Sequence, residues 1–140
     1  MEKMKNNTND RTVSGAARRI LIVDDESDVI EFLSYNFRRA GYLVEGAMNG
    51  AEGIEKIRAF LPDLIIADIM MPNMDGIIMG KILRSESSGK HLPLIYLSAT
   101  QDDYQVMNAG LTGDDFVSKP VKFSMLLTMV ERRLTGAIHE

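Results

Sequence analysis

Short apolar runs alternate with amphipathic stretches along most of the chain. Ile20-Leu21-Ile22-Val23 is compact, rich in β-branched residues and too short for a helix. With no polar residue inside it, both faces must be buried, as in a strand of a parallel sheet. Ser27 is placed to cap a helix in which Ile30, Leu33 and Phe37 recur at helical spacing, and Gly41 after Arg38-Arg39 is a stop signal. A second strand follows over about Tyr42 to Ala47. Ile54, Ile57 and Leu61 mark a second helix closed by Pro62, and Leu64-Ile65-Ile66-Ala67 reads as a third strand with Asp68 at its carboxyl end.

The pattern then repeats. A third helix starts near Asp75 and carries Ile78 and Ile82 before a Ser-Ser-Gly break. Leu94-Ile95-Tyr96-Leu97 is the fourth strand, a shorter helix is expected over about Asp102 to Ala109, and Phe116-Val117-Ser118 is a short fifth strand. The last helix begins near Phe123, with Leu126, Leu127, Val130 and Leu134 on one side and Met125 and Met129 beside them. Most of that stripe belongs to a core, and its methionine edge offers a partner surface. Strict βα alternation with fully apolar strands implies an α/β fold: a single doubly wound, five-stranded parallel sheet with helices on both faces.

Composition narrows the class. At 140 residues and 45% hydrophobic content the chain can form one domain with its own core. Without cysteine there is no disulfide, thiolate metal site or thiol nucleophile, which fits a cytoplasmic protein. No apolar run approaches the roughly 20 residues needed to cross a bilayer, and the polar start resembles no secretory signal. Residues 1–17 read as a flexible polar tail. The first 19 residues carry five Lys/Arg against two Asp/Glu, and the rest carry 11 against 18, so the body is acidic, at −7. Direct nucleic-acid binding is therefore not expected of it.

In sheets of this kind ligands bind at the carboxyl ends of the strands. Those ends collect Asp24 and Asp25, Asp68, Ser98 and Lys119. Singly, each has an ordinary use: an aspartate caps the next helix, a serine satisfies a strand end, a lysine is solvated. Together at four strand ends they point to one site. Three close carboxylates need a neutralising cation or raised pKa values. An all-oxygen ligand set, in a chain with only two histidines, favours Mg2+ over zinc or copper. Lys119 then supplies a point charge and Ser98 a hydroxyl donor for a phosphoryl group, with Asp68 as nucleophile.

The segments ILIVDDE (20–26), DIMMPNMDG (68–76), LSAT (97–100) and FVSKP (116–120) resemble the receiver domains of two-component response regulators. The resemblance spans about residues 18–135, and 136–140 leave no room for an output domain. It implies a flavodoxin-like sheet of strand order 2-1-3-4-5 and phosphorylation of Asp68 by a sensor histidine kinase or phosphotransfer protein. It also implies that Asp25, Asp68 and the backbone carbonyl of Met70 bind the metal, with Asp24 helping through water. Ser98 and Lys119 would contact the phosphoryl oxygens, and the Lys119-Pro120 peptide would be cis. Phe116 falls on the switch aromatic, which turns inward as Ser98 moves, so that the face of the fourth helix, fifth strand and last helix rearranges. Kinase specificity would lie on the first helix. A downstream protein partner or fused output domain would read the change, and a phosphorylation-dependent homodimer is among the expected partners.

Pro72 and Gly76 match loop-shaping positions. Met70 and Thr100 match positions that influence acyl-phosphate lifetime, and as neither is an evident base for water, no fast self-dephosphorylation is expected. An aspartyl-phosphate phosphohydrolase would need an acid/base two residues after Asp68, where Met70 stands. A flavodoxin-type cofactor module would need a Ser/Thr/Gly loop after the first strand, where Asp24-Asp25-Glu26 would repel phosphate.

Overall fold

The computed structural model describes residues 17–72, 74–87, 89–99 and 115–135. Five strands and four helices occur among them: β1 (Arg19–Val23), α1 (Ser27–Arg39), β2 (Leu43–Ala47), α2 (Gly50–Phe60), β3 (Leu64–Asp68), α3 (Gly76–Ser85), β4 (Leu94–Ser98), β5 (Asp115–Ser118) and α4 (Phe123–Thr135). The strands form one sheet of order β2-β1-β3-β4-β5, and every pairing is parallel. This is the expected 2-1-3-4-5 arrangement. The helix expected at 102–109, Thr100, the tail up to residue 16 and residues 136–140 lie outside the described residues.

Side chains of successive strand residues point to opposite faces, and the core divides accordingly. Leu21, Val23, Ile65, Ala67, Leu94 and Tyr96 meet Ile54 and Ile57 of α2 and Met79 and Leu83 of α3 on one face. Ile20, Ile22, Leu64, Ile66, Ile95 and Leu97 meet Leu33 and Phe37 of α1 and Leu126 and Val130 of α4 on the other. Because the central strands are covered on both sides, their apolar runs are continuous rather than alternating.

Four local expectations are corrected. Ser27 is the first helical residue of α1; Glu26 occupies the cap position and makes no side-chain capping bond. Leu61 is not on the buried face of α2: it follows the helix as a left-handed cap (φ 54°) and is 61% exposed. In α3 the core residues are Met79 and Leu83, while Ile78 is about half exposed, because an almost unbroken apolar sequence left the helical phase open. In α4 Met125 is exposed but Met129 packs against the core, so the two do not form one free edge.

The connections next to the strand ends are held by short polar devices. Asn49 caps α2 by accepting from Glu52 N (2.8 Å), and the Glu52 carboxylate accepts from Met48 N (2.7 Å), which holds the chain one residue before the cap. Asp75 caps α3 by accepting from Ile78 N at 2.8 Å. Gly76 donates its N–H to Ile69 O (2.9 Å). Its missing side chain lets α3 begin against the end of β3: a Cβ there would stand 2.3 Å from Asp68 O.

Candidate functional site

The carboxyl ends of β1, β3 and β5 bring four of the anticipated side chains together. Asp24 follows β1 and is fully buried, and Asp68 ends β3 with almost no exposure. Asp25 is exposed at the rim, and carboxylate oxygens of Asp24, Asp25 and Asp68 all lie within 4.8 Å of one another. Lys119, in the turn after β5, reaches over them: its Nζ is 3.2 Å from Asp24 Oδ2 and 3.3 Å from Asp68 Oδ1. The peptide that carries it, Lys119-Pro120, is cis.

Ser98 ends β4 and is fully buried. Its carbonyl accepts from Lys119 N at 2.8 Å, which ties the lysine turn to the serine's strand. The register sets Asp68 beside Leu97, one residue before Ser98. Met70 lies two residues beyond Asp68 with its side chain 61% exposed. Phe116 on β5 is half-buried and packs against the core on the α2/α3 face.

Crowding and burial shift the ionisation of the site's groups. Burial, joined by the neighbouring Asp24 charge, pushes the Asp68 carboxyl up to about 6 even though Lys119 acts in the opposite sense. Burial also raises Asp24, against the Glu26 N–H it accepts and the Lys119 charge. Burial works to lower the Lys119 ammonium, but Asp68 and Asp24 outweigh it and the pKa rises. One lysine therefore does not fully compensate the aspartates. A compact set of hard carboxylate oxygens with residual negative charge fits a divalent cation of the magnesium type.

The profile of the response regulator receiver domain family matches residues 20–131. The chain belongs to that family. This receiver domain is 38% identical over 104 residues to the alkaline phosphatase synthesis transcriptional regulatory protein PhoP of Bacillus subtilis, covering 74% of this chain and 42% of the relative. It is 33% identical over 118 residues to the DNA-binding response regulator MtrA of Mycobacterium tuberculosis, covering 84% and 50%. The chain thus spans about half the length of the curated relatives it matches. Among solved structures, the receiver domain of a signal transduction histidine kinase from Syntrophus aciditrophicus superposes with a TM-score of 0.77 at 33% identity, covering 89% of this chain and 95% of that one. The chemotaxis response regulator CheY4 of Vibrio cholerae gives 0.75 at 30% identity, covering 84% and 98%.

Two residues of this receiver were not singled out from sequence. Glu26 places its Oε1 3.5 Å from Lys119 Nζ, a third carboxylate on the same ammonium; its only advance signal was its place directly after Asp24-Asp25. Tyr96 stacks on Phe116, with ring centroids 5.5 Å apart, and nothing in its strand's apolar run distinguishes it. Among the described residues no helix is long and apolar enough to cross a membrane.

Proposed function

We propose that this receiver is a cytoplasmic phosphorylation switch: a sensor histidine kinase or phosphotransfer protein transfers a phosphoryl group to Asp68, and the product changes affinity for a downstream protein partner or fused output domain. The observation that carries the reading is the Lys119 ammonium 3.3 Å from Asp68 Oδ1, at a rim shared with Asp24 and Asp25. An ionised carboxylate at a strand end, backed by a cation that can offset phosphoryl charge, has the chemistry of an acyl-phosphate acceptor.

In the transfer an Asp68 oxygen attacks phosphorus, the O–P bond forms as the P–N bond of the phosphohistidine breaks, and the imidazole nitrogen keeps the electron pair and takes a proton. A pKa of about 6 leaves Asp68 mostly ionised at neutral pH, as attack requires. Lys119 turns from the carboxylates to the phosphoryl oxygens and offsets their charge. The Ser98 hydroxyl donates to another of those oxygens. Asp24, Asp25, Asp68 and the Met70 backbone carbonyl would hold Mg2+, which supplies positive charge next to the transferring group. Ser98 and Phe116 serve as the switch pair, and the surface around β5 and α4 changes as they move. No turnover substrate and no direct nucleic-acid contact is assigned to this domain, and a phosphorylation-dependent homodimer belongs to the same reading.

The donor's docking place is supported by a groove of about 500 Å3 between α1 and the turn after β5, lined by Val29, Phe32, Leu33, Pro120 and Val121 and bordered by Lys119. Phe32 is half exposed there, and a helix of the donor seated in it would bring its phosphohistidine to the Asp68 rim. The test is intact mass after incubation with Mg2+ and phosphoramidate or acetyl phosphate. A single phosphate adduct is expected in the native chain and in none of Asp68→Asn, Asp25→Ala or a chelator control. No adduct from either small donor or from a phosphohistidine protein would overturn the reading.

A further inference from the structure

Phe116 does not stand alone on β5. The parallel register sets it beside Tyr96 of β4, and the two rings are stacked, 5.5 Å between centroids with 16° between their planes. Tyr96 precedes Ser98 by two residues, so the side chains of both leave the same face of the strand. The ring is fully buried, whereas Phe116 is only half-buried. One partner of the stack is thus fixed in the core and the other sits where movement costs less.

Tyr96 is fixed by a gap in α3. A Cβ built on Gly80 would stand 2.1 Å from Tyr96 Oη and 3.4 Å from its Cζ. Glycine at this position is what lets the phenol end lie against the helix backbone. The tyrosine ring therefore runs from the wall of α3 to the face of Phe116. A stacked aromatic pair is worth about two- to tenfold in a conformational equilibrium.

We propose that Tyr96 is a positioning residue for the switch: lodged against Gly80, its ring holds Phe116 in the stacked position and sets how readily Phe116 leaves it when Asp68 is phosphorylated. This rests on the receiver switch proposed above. It adds a route by which α3 senses the site, since Tyr96 touches both Phe116 and the α3 backbone. It also gives Gly80 a role in the switch, as the space that fixes the platform.

The experiment follows the aromatic 13C–1H resonances of Phe116 by NMR in the native chain, Tyr96→Phe, Tyr96→Met and Gly80→Ala, each with and without Mg2+ and phosphoramidate. Phosphate occupancy is read by intact mass in the same samples. The native chain and Tyr96→Phe should show Phe116 displaced by its neighbour's ring current and responding to phosphorylation. Tyr96→Met keeps side-chain volume without a ring. It should lose the displacement and raise the unphosphorylated population of the second Phe116 position about two- to tenfold, with phosphate occupancy unchanged. Gly80→Ala should move Phe116 in the same direction without altering residue 96. Phosphate uptake with Phe116 indifferent to both Tyr96→Met and Gly80→Ala would overturn the inference and leave the receiver reading standing. Absence of phosphate uptake in the native chain would overturn the receiver reading and the inference with it.

Discussion

Lys119 Nζ lies 3.3 Å from Asp68 Oδ1, joining the turn after β5 to the end of β3. The same ammonium touches Asp24, so a single cation faces two buried carboxylates. Lys119→Ala should lift the Asp68 pKa above its present value of about 6. It should also slow phosphorylation by small donors about 100-fold, the usual cost of losing one charge-stabilising group. Carbon NMR titration of the Asp68 carboxyl and a mass time course check the two halves separately. An unchanged pKa would mean that the lysine is not held where the distances put it.

Metal-free stability should depend on pH in a direction opposite to that of an ordinary salt-bridged aspartate. The Asp68 pKa is raised from 3.8 to about 6, so the folded chain binds this proton more tightly than the unfolded chain does. The resulting stabilisation is complete below the unfolded value and is lost as pH climbs through about 6. Asp24, also raised, acts in the same sense. Asp68→Asn should therefore be more stable than the native chain at pH 8 in chelator, on the order of 2 kcal/mol, and the gap should close near pH 4. Added Mg2+ should stabilise the native chain at pH 8 and have less effect on the variant. Thermal melts of both proteins across this range decide it; a gap that widens toward acid would refute the assignment.

Gly76 tests how closely α3 must approach the site. A Cβ at this position would stand 2.3 Å from Asp68 O and 3.2 Å from Ile69 Cα, and both contacts are backbone that cannot swing aside. Gly76→Ala should cost about 1–3 kcal/mol and displace the Asp68 strand end, so phosphate uptake falls together with stability. Urea unfolding and the adduct assay measure the two effects. Normal uptake in a destabilised variant would show that the strand end does not move.

The strands were legible because the sheet is buried on both faces, so runs such as Leu64-Ile65-Ile66 could be nothing but apolar. The strand-end rule then selected Asp24, Asp25, Asp68 and Lys119, which the fold does bring together. Helix phase was harder. In α3 a sequence with Ile77, Ile78, Met79, Ile82 and Leu83 has apolar residues on most of its circumference, and only tertiary packing selects Met79 and Leu83. Glu26 was missed because a long side chain's reach does not follow from its position. Tyr96 was missed because its meaning depends on its cross-strand neighbour Phe116 and on the glycine at 80. Both are properties of register and packing, which no single segment encodes.

Leu61 offers a change that should strengthen the fold and leave the chemistry alone. It caps α2 with φ 54° and ψ 62°, donating its N–H to Ile57 O, and its side chain is exposed. A leucine in the left-handed region costs roughly 1–2 kcal/mol through crowding of its Cβ, and here little burial compensates. Asparagine tolerates that conformation and is a natural residue for a helix end. Leu61→Asn should therefore raise stability by about 0.5–1 kcal/mol. Leu61→Ala, which keeps a Cβ and lacks the polar side chain, should not. Leu61 precedes the start of β3, whereas Asp68 is at its far end, so phosphate uptake should match the native chain in both variants. Equal stabilisation by alanine would place the cost in the exposed apolar side chain instead of in the backbone.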